Sequence, residues 1–183
     1  MKTTKDLTKF YQYAFPMQTV LATCTDTAGK TNIITLAWHT PLNRTPPLYG
    51  ISVAPRRHSH NLITTSKEFV LNFIPYSLAE QADYCGTHSG RTYDKLKETN
   101  LTLTPSTTLK TPMIVEAYAH LECKLTKTVP LPDHDILIGE VVAVTADDEA
   151  FTNNLLNIEK RQPLYYIGDN NYTTLDPRAR RSF

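Results

Sequence analysis

The sequence predicts a mainly β fold, a closed or nearly closed barrel that carries short inserted helices. Three observations point there. Candidate strands outnumber candidate helices along the chain. Twelve prolines and many threonines break it into short segments. Residues 115–127 alternate with period two: Val115, Ala117, Ala119, Leu121, Cys123 and Leu125 against Glu116, Tyr118, His120, Glu122, Lys124 and Thr126. That order gives a strand one buried face and one polar face. Strands with few helices favour a barrel over a doubly wound sheet.

The elements follow in order. Residues 19–23 and 32–37 read as strands, and Thr25-Asp-Thr-Ala-Gly-Lys30 between them as a hairpin loop. Residues 48–53 and 69–73 are the next strands. Ser59 is placed to cap a helix running to Ser66. Ser77-Leu-Ala-Glu80 has the capping-box pattern, with a helix to Tyr84 behind it. Residues 91–98 and 148–157 read as two further helices. Residues 136–144 are apolar on both faces and so belong in the middle of the sheet. Residues 164–167 form a late strand.

With 183 residues, one domain spanning 1–183 is expected. Residues 168–183 read as its C-terminal tail, polar and basic from Asp176. Hydrophobic residues make up 40% and charged residues 20%, as in ordinary globular chains. A net charge of +1 provides no general attraction to nucleic acid or to a membrane surface. No apolar stretch approaches membrane-spanning length, and no apolar run follows Met1-Lys-Thr-Thr-Lys-Asp, so neither a membrane span nor a secretory leader is expected. Cys24, Cys85 and Cys123 are too scattered for a disulfide framework or a zinc site. They read as buried or free thiols, which fits a cytoplasmic protein.

Four constellations carry possible chemistry. Asn32-Ile-Ile-Thr-Leu-Ala-Trp38 places Asn32, Ile34, Leu36 and Trp38 on one face of a strand and Thr35 and Ala37 on the other. The sole tryptophan sits just before a proline-rich loop, where a flat aromatic can wall a flat ring; a core role for Trp38 is the simpler alternative. Arg56-Arg-His-Ser-His-Asn61 lies between an apolar strand and a helix start, a natural anion site suited to one phosphate. Its alternative is an ordinary cap with solvated arginines. His58 and His60 at alternate positions also suggest a metal, but a third ligand is lacking, and no metal is assigned.

Cys85-Gly-Thr-His-Ser-Gly-Arg-Thr-Tyr-Asp-Lys95 marks a close-approach loop. A helical turn would bring its Arg91 and Lys95 to one side, completing the phosphate site or forming a solvated face. Pro130-Leu-Pro-Asp-His134-Asp puts a histidine between two aspartates at a rim, where they would favour its charged form or fix its tautomer. A turn with a solvated histidine is the alternative. There is no G-x-G-x-x-G, P-loop, nucleophile elbow or H-E-x-x-H, so no catalytic nucleophile is assigned.

Taken together, these segments resemble the flavin reductase-like family of FMN-binding split barrels, in its flavoredoxin-type branch. The residues that carry the resemblance are Asn32-Ile-Ile-Thr-Leu-Ala-Trp38, Pro46-Pro-Leu-Tyr-Gly-Ile-Ser-Val53, Arg56-Arg-His-Ser-His-Asn-Leu62, Glu68-Phe-Val-Leu-Asn-Phe73, Ser89-Gly-Arg-Thr-Tyr-Asp-Lys95 and His134-Asp-Ile-Leu-Ile-Gly-Glu-Val-Val142. The resemblance implies a Greek-key split barrel and a homodimer with FMN near the subunit interface.

It also implies residue roles. Asn32, Thr35, Leu36, Ala37 and Trp38 resemble the ring-contacting segment. Arg57, His58, Ser59, Ser89 and Arg91 resemble the phosphate site, with Lys95 as its cationic partner. His134 resembles a flavin contact from the central strand, and Tyr165 or Tyr166 the late aromatic near the ring. The family pattern often has Asp-Lys-Phe where this chain has Asp94-Lys95-Leu96, a difference of packing. The implied activity is electron transfer from NAD(P)H through FMN to a free flavin, a ferric chelate or another acceptor. The alternatives are an FMN electron carrier reduced by a redox protein partner, and a barrel without flavin that acts as a binding module.

Overall fold

The structure, a computed structural model, describes residues 1–179 and 181. Arg180, Ser182 and Phe183 of the expected tail lie outside the described residues. Seven strands form one antiparallel sheet: β1 (Val20–Thr25), β2 (Thr31–Leu36), β3 (His39–Asn43), β4 (Leu48–Val53), β5 (Glu68–Phe73), β6 (Ala119–Val129) and β7 (Asp135–Ala146). Their order is β2-β1-β5-β6-β7-β4-β3. The helices α1 (His58–Ser66), α2 (Ala79–Thr87) and α3 (Lys95–Thr99) interrupt the strands. β4 and β5, joined through α1, flank the β6–β7 hairpin in Greek-key fashion.

The sheet is not closed. Its two edges are β2 and β3, although these strands follow one another in the chain. Ala37 and Trp38 leave the strand path between them. The sheet curls until β2 and β4 line one cavity. Inside the curl, Val20, Ile34, Leu36, Ile51, Phe69 and Leu137 belong to one buried core. Outside it, Leu21, Ile33, Ala82, Cys85, Ile114 and Leu164 form a second core beneath α2. β1 therefore buries both faces, and β7 lies in the sheet interior, as its two apolar faces require.

Several local expectations are corrected. α1 starts at His58 with Arg57 at the cap, so Ser59 lies inside the first turn and caps nothing. Residues Tyr76–Leu78 form a 3-10 turn ahead of α2, which puts Ser77 within helical backbone and leaves no capping box. Residues 148–157 are not a helix: a short 3-10 turn leads into a hairpin pairing Phe151–Thr152 with Leu155–Leu156. Asn153 and Asn154, at φ of 51° and 62°, make its turn, and asparagine tolerates that left-handed region. A second turn of this kind, at Asp169 and Asn170, lets Asn171–Thr173 pair with Tyr165–Gly168.

The strand expected from 115 begins only at Ala119, and Val115 is exposed. Its expected polar face is also buried at Tyr118, His120 and Glu122. The segment between α3 and β6 folds over that face. Glu122 is 1% exposed, and its carboxylate accepts N–H bonds from Thr107, Thr108 and Leu109 at 2.7, 2.8 and 2.9 Å. Burial alone would raise the pKa of this carboxyl, but the three N–H donors outweigh it and hold Glu122 below the usual carboxylate range.

Candidate functional site

The site is built on the free edge of β2. Antiparallel pairing turns the backbone groups of alternate residues away from the neighbouring strand. The Ile33 carbonyl faces away from β1, since it accepts from Lys95 Nζ at 2.7 Å. By the same alternation, the Thr35 N–H and C=O also face outward. A groove runs along this edge as three adjoining cavities of about 250, 280 and 400 Å³. Arg57 and Gly86 line all three.

One end of the groove is cationic. Arg56, Arg57, His58, Ser59, Ser89, Arg91 and Lys95 line the cavity there. Among the described residues, none of Arg56, Arg57, Arg91 and Lys95 forms an ion pair. The N-terminus of α1 has no side-chain cap, so its first N–H groups open here. Ser59 is buried and accepts a 2.7 Å bond from Asn32 Nδ2. Arg91 Nη1 donates to the Arg56 carbonyl at 3.0 Å, tying the two loops together. Burial, with help from Arg91 and Lys95, disfavours protonation of His58.

Lys95 and Arg91 do not share a helical face, because α3 begins only at Lys95. Lys95 is 6% exposed, and its ammonium donates to the carbonyls of Ile33 and Cys85 at 2.7 and 2.6 Å. It thereby fastens β2, α2 and α3 to each other, and burial disfavours its charged form. Leu96 packs beside this junction in the outer core. Gly90 passes so close that a Cβ placed there would fall 1.9 Å from Asn32 Oδ1.

The other end is aromatic. Thr35, Leu36, Ala37, Trp38, Ser52, His134 and Tyr166 line it. Leu36 is nonetheless mostly a core residue, and Thr35 Oγ1 is occupied by the Ala82 carbonyl. Trp38 is half-buried, with Tyr11 at 5.7 Å on one side and His134 at 5.1 Å on the other. It is a rim residue, not a core tryptophan. His134 Nδ1 lies 3.1 Å from Asp133 Oδ1, yet the angle makes no hydrogen bond and this nitrogen has no other partner. Asp135 turns away to His60 Nε2 at 2.8 Å, so the two aspartates do not flank His134 as the spacing suggested.

Tyr165 does not line the groove. Its neighbour Tyr166 does, packing edge-on against Phe15 at 5.2 Å. Successive strand residues face opposite ways, so only one of the pair can reach the groove. Tyr11, beside Trp38, has no signal in the sequence beyond the aromatic cluster of Phe10, Tyr11 and Phe15, whereas Gly86 belongs to the glycine loop and Tyr166 is the alternative to Tyr165. The three cysteines are free and buried. Burial, only partly opposed by Lys95, pushes the Cys85 thiol up to about 11, which leaves it unreactive beside the groove.

Comparison with known proteins identifies the family of the chain. A model of the flavin reductase like domain matches residues 12–175. The chain belongs to this family. Flavoredoxin from Methanosarcina acetivorans is similar over 100% of this chain and 96% of its own, at 28% identity and a TM-score of 0.86. An FMN-binding protein from Thermus thermophilus, solved with bound p-hydroxybenzaldehyde, covers 95% of this chain and 94% of its own, at 26% identity and a TM-score of 0.79. A relative from Streptomyces pristinaespiralis described as an NADH:riboflavin 5'-phosphate oxidoreductase is 25% identical over 139 residues, 76% of this chain and 75% of its own. Flavin reductase-like split barrels are thus the fold neighbours of this chain. No helix among the described residues is long and apolar enough to cross a membrane.

Proposed function

We propose that this chain binds FMN in the β2 groove and transfers electrons from NAD(P)H to a small acceptor, as a homodimer with the groove near the subunit interface. The observation that carries the reading is the unpaired cation cluster at one end of a groove whose other end is walled by Trp38 and Tyr166. A terminal phosphate fits a set of donors that has no carboxylate of its own. Arg56, Arg57, His58, Ser59, Ser89 and Arg91 would hold it, and Lys95 would add charge from below. The outward Thr35 N–H and C=O suit the polar edge of a flat heteroaromatic ring, with Trp38, His134 and Tyr166 around it. The FMN-binding and NADH-dependent relatives support the same reading.

Bound FMN supplies the redox chemistry. The protein anchors the phosphate, orients the ring with β2 backbone groups and shields it with Trp38 and Tyr166. No side chain is assigned a covalent role. A nicotinamide donor needs no dinucleotide fold here, because it can reach the open side of the groove transiently.

The first experiment is a visible absorption spectrum before and after FMN is added and the protein desalted. Flavin bands retained through desalting, and lost in part with Arg57→Ala, are expected. Anaerobic bleaching by NADH or NADPH then separates a reductase from a carrier reduced by a protein. A protein that takes up no flavin at any concentration would overturn the proposal and leave the binding-module alternative.

A further inference from the structure

The contact between His60 and Asp135 plays no part in the reading above. It joins α1 to the first residue of β7, 75 positions away in the chain. The two side chains are 14% and 12% exposed, and His60 Nε2 lies 2.8 Å from Asp135 Oδ2. An ionised carboxylate only accepts, so Nε2 carries the hydrogen and donates it. Bonds of this kind, shielded from water, are among the stronger ones a protein makes. Among the described residues, no other side-chain hydrogen bond links α1 to β7.

The bond runs from one end of the groove to the other. His60 follows Ser59, which lines the cationic cavity. Asp135 follows His134, which lines the aromatic cavity with Trp38. The two sides are not equally fixed. α1 sends Leu62 and Ile63 into the inner core. Residues 130–133, which lead into His134, are exposed. His134 Nδ1 has no hydrogen-bond partner, although its ring lies 5.1 Å from that of Trp38. The neighbouring Asp135 side chain is therefore the nearest tether for His134, and α1 is the firm side of that tether.

We infer that His60 is a positioning residue: through Asp135 it sets His134 against Trp38, and so fixes the aromatic wall relative to the cationic end. That the wall faces a flavin rests on the function proposed above. The contact itself belongs to the chain alone.

Trp38 is the sole tryptophan, so its indole N–H gives a single, assignable peak in a nitrogen–proton NMR spectrum. The peak is read in the flavin-free full chain. His134→Ala moves it by removing a neighbouring ring. His60→Ala should move it in the same direction. His60→Gln, whose Nε2 can donate to Asp135, should leave it near the wild-type position. Asp135→Asn should shift it less than His60→Ala, and it replaces that variant if His60→Ala does not fold. A merely structural role would lower the melting temperature without moving the peak.

Ligand titration gives a second readout. His60→Ala should raise the FMN dissociation constant about five- to tenfold, through the misplaced aromatic wall. Its affinity for inorganic phosphate should stay within about twofold of wild type, less than the worth of one hydrogen bond. A moved Trp38 peak in a chain that takes up no FMN would support the positioning role while removing the flavin reading. An unmoved peak in the variant that folds would overturn the inference. So would an equal shift in His60→Gln, or equal weakening of FMN and phosphate binding, which would make His60 a support of α1 only.

Discussion

Gly90→Ala probes the phosphate end of the groove with a single methyl group. The added Cβ would lie 1.9 Å from Asn32 Oδ1, 2.7 Å from Asn32 Cγ and 3.4 Å from His58 Cδ2. The first distance is well over 1 Å inside the roughly 3.5 Å optimum for non-bonded atoms. Asn32 is buried and held by its 2.7 Å bond to Ser59, so it cannot swing aside freely. Either that bond breaks, or the loop carrying Ser89 and Arg91 lifts off. Leaving a buried donor and acceptor unmatched costs about 1–3 kcal/mol. Expressed as affinity, that is about a 5- to 150-fold rise in the FMN dissociation constant. Titration of FMN, followed by quenching of its fluorescence, reads this directly.

Gly29→Ala is the control: it also strains the backbone, at φ of 88°, but a Cβ there meets nothing within 4 Å and the residue lines none of the three groove cavities. Its FMN affinity should stay within about twofold of wild type, below the cost of one hydrogen bond. Wild-type FMN affinity in Gly90→Ala would refute the placement of the phosphate between these loops, even if the variant were less stable.

Three further outcomes are expected. Tyr166→Ala should weaken FMN binding about five- to tenfold by loss of an aromatic contact, whereas Tyr165→Ala should leave it unchanged; the same titration checks both. Glu122→Gln should lower stability by about 1–3 kcal/mol in urea unfolding at pH 7, because three buried N–H groups lose their carboxylate. Glu122 has a folded value below its ordinary 4.5, so its stabilisation is present above that pH and disappears as pH falls through the folded value. The two proteins should accordingly converge below pH 4.5, and a constant difference down to strong acid would contradict the assignment. Lys95→Ala should lower the melting temperature as well as FMN affinity, since two buried carbonyls lose their donor; an unchanged melt would show that Lys95 acts on the ligand alone.

The tail and the helices show how far local pattern reaches. Asn153-Asn154 and Asp169-Asn170 are readable hairpin turns in retrospect, since these residues tolerate left-handed backbone. The tail expected from residue 168 is shortened by one of them, because Asn171–Thr173 pairs into a sheet. Ser59 and Ser77 look like caps because capping is a local pattern, but the chain enters each helix where tertiary contacts direct it. Tyr76 N donates to the Gln162 carbonyl at 2.7 Å, a contact across 86 positions that fixes the backbone before Ser77.

The sequence by itself determined six of the seven strands of the sheet, all but β3, which falls in a stretch that reads as a proline-rich loop; it also determined the apolar centre at β7, the basic run from Arg56 to Ser59 and the glycine loop ahead of Lys95. Each rests on alternation, charge or turn chemistry within a few residues. Only the tertiary structure decided that the sheet stays split at Ala37 and Trp38, that Lys95 is buried against two carbonyls, that Tyr166 rather than Tyr165 faces the groove, and that Glu122 is covered. Those outcomes depend on which distant backbone atoms arrive beside a side chain, and burial there changes what the same residue can do. A lysine or glutamate reads as a solvated charge in sequence; packed against carbonyls or N–H groups from elsewhere, it becomes a fastening of the fold.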